Sequence, residues 1–85
     1  MNLSKLQFTI LGMFNAAPDE TLSAQQIQRA LFMCDWEHIE EALTELEENG
    51  LVSSGEIPLY YSSTVDGDAA YGRTLATFIW ELASK

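Results

Sequence analysis

The sequence predicts an α+β domain: a three-helix core, a two-stranded β-hairpin and a closing helix. Three observations carry this. Apolar residues recur at helical spacing in three early segments. The period then shifts to a β-like one after Gly50. Glycine, proline and capping residues punctuate the chain where the period breaks. Eighty-five residues make one domain. Such a chain buries roughly 60–65 % of the surface its unfolded form exposes. With 47 % hydrophobic residues the core is thin but sufficient.

The first helix is LSKLQFTILGMF. Leu3, Leu6, Ile10, Met13 and Phe14 recur at three- and four-residue spacing, and Phe8 and Leu11 widen the apolar face. Gly12 costs about 1 kcal/mol against alanine in a helix; it either allows a close helix crossing or has no structural role. The helix is expected to end before NAAPDE, because Pro18 cannot continue it and restricts Ala17. Ser23 and Gln26 then form a capping box, with Leu22 and Ile27 placed as a hydrophobic staple. A short second helix should run from Ala24 to about Phe32, burying Ile27, Ala30 and Leu31. After a turn at FMCD, Asp35 is the expected N-cap of the third helix. Ile39, Ala42, Leu43 and Leu46 make its inward stripe. Gly50 fits the left-handed residue after the C-cap, with Leu51 folding back on Leu46 in a Schellman motif.

Leu51–Ser53 and Leu59–Ser62 read as the two strands of the hairpin, turning around Ser54 and Gly55. Pro58 cannot donate to a ladder, so it belongs at a strand start or an edge. The loop STVDGD follows, with Asp66 or Asp68 as possible caps. The last helix is expected from Ala69 to Ala83, with Tyr71, Leu75, Phe78, Ile79 and Leu82 on its apolar face and Trp80 off it.

Thirteen acids stand against four bases, Lys5, Arg29, Arg73 and Lys85, for a net charge of -9. Ten of the acids lie between Asp19 and Glu56, where Arg29 is the only base. Non-specific affinity for DNA depends on lysines and arginines that displace counterions from phosphates, and this chain has few. High negative charge also keeps a small protein soluble. One cysteine allows no intrachain disulfide. No apolar run approaches the length of a membrane span, and MNLSKLQF lacks the pattern of a signal peptide. The sequence reads as that of a soluble cytoplasmic protein.

Helix, short helix, longer helix, hairpin and final helix is also the order of a winged helix-turn-helix domain. Ile39, Ala42, Leu43, Leu46, Glu47, Gly50, Leu51 and Val52 resemble the third helix and wing entry of transcriptional regulators of the multiple-antibiotic-resistance and phenolic-acid-repressor types. Leu22, Ser23, Ile27 and Leu31 resemble their second helix. Tyr60, Tyr61 and Gly72 loosely echo their aromatic strand and last helix. The resemblance covers nearly the whole chain. It implies transcription regulation, with the third helix in the major groove, the wing on the backbone, and a homodimer made by terminal helices.

The third helix departs from that pattern. At about 100° per residue, Glu37, Glu41, Thr44 and Glu48 lie opposite the Ile39/Leu43/Leu46 face, with Glu40, Glu45 and Glu47 on its flanks. Regulators of these types show donors and cations there. Glutamate accepts from a cytosine amino group, which explains one contact rather than a band. The band is not a helix stabiliser either. Glu37/Glu41 and Glu41/Glu45 are like-charge pairs four apart, and Glu47 and Glu48 sit where the helix dipole prefers cations. A basic protein partner explains the band; so does solubility alone.

Cys34, His38 and Glu41 are close enough to suggest a metal site, but zinc sites need further sulfur or nitrogen ligands. Cys34 with His38 suggests a thiol and its base, yet the surrounding acids oppose a thiolate. The expected readings are Cys34 packed as a small hydrophobe and His38 exposed in part. No cofactor, metal or catalysis is expected. Tyr71, Leu75, Phe78, Ile79, Trp80 and Leu82 either make a homodimer helix or fill a core short of long aliphatics. The sequence therefore points to a non-enzymatic winged-helix module acting by protein–protein contact, with Glu37, Glu40, Glu41, Thr44, Glu45 and Glu48 as the contact face. The alternative is a DNA-binding regulator acting as a homodimer. A small metal protein or enzyme is the remote third.

Overall fold

A computed structural model describes residues 2–16, 21–55 and 60–84. The expectations for Ala17, Pro18, Glu56, Pro58, Leu59 and Lys85 lie outside these residues. The element order is α1 (Lys5–Ala16), β1 (Leu22–Ser23), α2 (Ala24–Ala30), α3 (Trp36–Glu48), β2 (Val52–Ser54), β3 (Tyr60–Ser63) and α4 (Val65–Ala83). Three helices, a hairpin and a closing helix give an α+β, winged-helix arrangement.

Helix α1 starts on a capping box that is readable in the sequence as Ser4-x-x-Gln7. The Gln7 amide donates to Ser4 Oγ, and the Ser4 amide donates to Gln7 Oε1. The helix continues through Asn15 and Ala16, two residues past its expected end. Gly12 faces Tyr71 of α4, where a Cβ would come within 3.2 Å of the ring. The glycine thus serves the crossing of α1 and α4.

Ser23 caps α2 with the reciprocal Gln26 contact, as expected. The helix stops at Ala30 rather than Phe32. Ala24 and Ile27 are its buried residues, while Ala30 faces solvent and Leu31 is half-buried. The helix is thus two residues shorter than expected, because the chain leaves helical geometry at the Leu31 C-cap, and Ala30 lies on its exposed side.

The stripe of α3 is buried as expected: Ile39, Ala42, Leu43 and Leu46 all lie in the core. Asp35 takes the N-cap backbone position, but its side chain makes no capping bond. At the other end Gly50 has φ +72°. The Leu51 amide donates to the Leu46 carbonyl and the Gly50 amide to the Glu47 carbonyl. Those two bonds define a Schellman motif.

The sheet has three strands in the order β1-β3-β2, one more than expected. Val52 pairs with Ser63 and Ser54 with Tyr61, all antiparallel. Leu22 and Ser23 add to the far side of β3, opposite Tyr61 and Tyr60. A two-stranded hairpin is marginal alone, and this third strand ties it to the start of α2.

Helix α4 begins at Val65, four residues before the expected start. Its cap is Thr64, not Asp66 or Asp68: the Thr64 hydroxyl accepts from the Gly67 amide and donates to the Gly50 carbonyl. Gly67 packs so tightly that a Cβ there would run into the Leu51 carbonyl. The root of α4 is thereby locked to the end of α3 and the entry to the hairpin.

Candidate functional surface

Helix α3 is held by its inner face and by its C-terminal end, which leaves its outer face free to be defined by its acids. Glu37, Glu40, Glu41, Thr44, Glu45, Glu47 and Glu48 are all exposed. No base lies in α3. The band is not uniform, however. Glu45 reaches back to α1, accepting from Gln7 Nε2 at 2.7 Å. Glu47 accepts from the Ser54 hydroxyl at 2.8 Å, which fastens β2 to α3. The exposed Thr44 hydroxyl donates to the Glu40 carbonyl of its own helix. Glu37, Glu40, Glu41 and Glu48 are the carboxylates of the band without a side-chain bond to the body of the domain among the described residues.

The field of this band is felt by the sheet. Burial pushes the Tyr61 phenol above its ordinary value, and the negative charges of Glu47 and Glu40 push it the same way. The described part of the hairpin, Val52–Gly55 and Tyr60–Ser63, carries no charged side chain. Ser53 and Ser62 spend their hydroxyls on each other, 3.1 Å apart across the strands. Among the described residues, wing and helix together thus present acid and hydroxyl groups to a phosphate and no lysine or arginine.

Cys34 is half-buried against the core, and His38 is exposed, with its Nδ1 3.8 Å from Asp35 Oδ2. Such an exposed pair contributes little. An open cleft of mixed polar and apolar lining runs between the start of α1 and α3, bordered by Ser4, Leu6, Gln7, His38, Glu41 and Glu45 among others. Among the described residues, no group of three or more His, Cys, Asp or Glu side chains is placed to hold a metal ion. No described helix is long and apolar enough to cross a membrane.

The aromatic helix divides in two. Tyr71 is half-buried, stacked on Phe8 of α1 with ring centroids 4.8 Å apart. Phe8 also meets Phe78 edge-on at 5.3 Å. Leu75, Phe78, Ile79, Trp80 and Leu82 are exposed. The reading of these side chains as core filling therefore holds for Tyr71 and not for the outer half of α4. Sequence reasoning had no signal for Gln7 as a contact of Glu45, since that bond spans 38 residues. Compared with family models, curated proteins and solved structures, the chain matches none.

Proposed function

We propose that the chain is a non-enzymatic winged-helix module that regulates or assembles through protein contact, using the outer face of α3 against a basic surface. One observation carries the reading. Glu37, Glu40, Glu41 and Glu48 stand exposed where a DNA reader needs donors and cations, and the described wing adds no base. Charge complementarity of this kind speeds encounter and makes it salt-sensitive. A cytoplasmic setting belongs to the same proposal, supported by the single cysteine.

A second reading is a DNA-binding transcription regulator acting as a homodimer. It draws on the winged-helix arrangement and on the exposed Lys5, Arg29 and Arg73. The exposed apolar half of α4 favours the homodimer in either reading. A mobility-shift titration with random-sequence duplex at low salt separates the two. The protein-contact reading expects no shift. A clear shift that salt abolishes would replace it with the DNA-binding reading.

A further inference from the structure

The cleft between the start of α1 and α3 has a volume of about 370 Å³. Ser4, Leu6 and Gln7 border it on one side, and His38, Glu41 and Glu45 on the other. We propose that it receives an arginine side chain of the basic partner, with the guanidinium on Glu41 and Glu45 and the stem against Leu6 and Ala42. The proposal rests on the protein-contact reading above and gives that contact an anchor, placed on the α1 side of α3.

Charge complementarity makes the occupant a cation. Two carboxylates line the cleft and no lysine or arginine does; Lys5, the one base of α1, is not part of its wall. Glu41 and Glu45 stand four residues apart on one helix, a spacing at which like charges repel. A cation placed between them replaces that repulsion with attraction.

Size and lining make it an arginine side chain carried by a partner. Pockets for free small molecules run to about 300–1,000 Å³ and enclose most of the ligand. This cleft is at the small end and open, so it cannot enclose a free molecule. Among the described residues no group of three or more ligating side chains is placed to hold a metal ion. Leu6 and Ala42 add apolar wall beside the carboxylates, and an arginine has the same division into methylene stem and charged head. Its planar fork of donors fits carboxylates better than the compact ammonium of lysine.

The cleft is also held ready. Gln7 is 4 % exposed and is fixed by its two bonds with Ser4. Its Nε2 donates to Glu45 Oε2 at 2.7 Å, so Glu45 cannot swing out to solvent without breaking that bond. Glu45 Oε1 makes no hydrogen bond among the described residues and is left for an incoming donor. Less ordering then remains for association to impose.

Two synthetic peptides of equal length and charge test this by calorimetric titration of the full chain at low salt. One alternates arginine with serine. The other carries each guanidinium on a single methylene, too short to reach into the cleft. The wild type is expected to bind the arginine peptide at least about tenfold more tightly, since two further methylenes of the inserted arginine leave water. The side-chain amide signals of Gln7 should move with the arginine peptide, because Gln7 is too buried to sense a ligand on the surface. Added salt should lower both affinities and keep their ratio, as screening acts on the charges and not on the stem. Glu41→Gln with Glu45→Gln should bring the ratio close to one, while Glu37→Gln with Glu48→Gln, equal in charge removed, should keep it. Glutamine at position 45 still offers Gln7 an acceptor; should that pair lower the melting temperature, Glu41→Gln alone carries the comparison. Equal affinity of the wild type for both peptides, or a ratio that survives in the cleft variant, overturns the cleft and leaves the outer-face contact. A wild type that binds neither peptide overturns the protein-contact reading and the cleft with it.

Discussion

Gln7 shows how much one polar side chain can organise. It is 4 % exposed, its backbone and side chain complete the capping box with Ser4, and its amide nitrogen donates to Glu45. Replacing it with leucine keeps the volume but removes the reciprocal cap and the tie to α3. The expected loss is about 1–2 kcal/mol by urea denaturation. A loss near zero would mean that Ser4 and Glu45 re-pair with water without cost. Tyr61 responds to the same helix from the other side. Its phenol is raised by burial and by Glu47 and Glu40, so the folded state holds that proton more tightly than the unfolded state. Its contribution is complete below the ordinary tyrosine value and is lost as pH climbs through the raised folded value. The stability difference between wild type and Tyr61→Phe should therefore be flat up to about pH 9 and shrink above about pH 10. Urea midpoints of both proteins across that range check the sign.

At the scale of elements, α3 was the most legible part of the sequence and α4 the least. The stripe of Ile39, Ala42, Leu43 and Leu46, closed by Gly50, states both the buried face and the end of α3 in local terms. The start of α4 was hidden because its reason is tertiary. A glycine in the first turn of a helix reads as a loop on propensity. Gly67 is there because the Leu51 carbonyl approaches it, a contact between residues far from each other along the helix pattern. Strand β1 was hidden for a similar reason: two residues carry no period, and their partner β3 lies almost forty residues on. The outward acids of α3 were legible as residues, but not their division into tied and untied groups. Glu45 and Glu47 are held by Gln7 and Ser54, which leaves Glu37, Glu40, Glu41 and Glu48 for the proposed contact. Changing Glu37, Glu41 and Glu48 to glutamine removes two like-charge pairs, Glu37/Glu41 and Glu41/Glu45, and an acid from the last turn, against the loss of one favourably placed acid, Glu37, in the first turn. The domain should gain a few tenths of a kcal/mol rather than lose stability. Thermal melts of the triple variant test that directly.

At the scale of the whole molecule, two surfaces of opposite character coexist. The α3 face is charged and polar, and the outer half of α4 is neutral and apolar. Salt screening would weaken the proposed attraction of a basic protein to α3. Negative charge in general would also draw a basic protein, so the deciding comparison holds net charge constant. Three acids are neutralised in each of two variants: Glu37→Gln, Glu41→Gln and Glu48→Gln on α3, and Asp66→Asn, Asp68→Asn and Glu81→Gln on α4. Each is used, beside the wild type, to capture basic proteins from native extract at low and high salt. The predicted result is capture at low salt by the wild type and by the α4 variant, with the α3 variant losing it. Equal capture by both variants, or equal loss from both, would contradict a contact made by the outer face of α3.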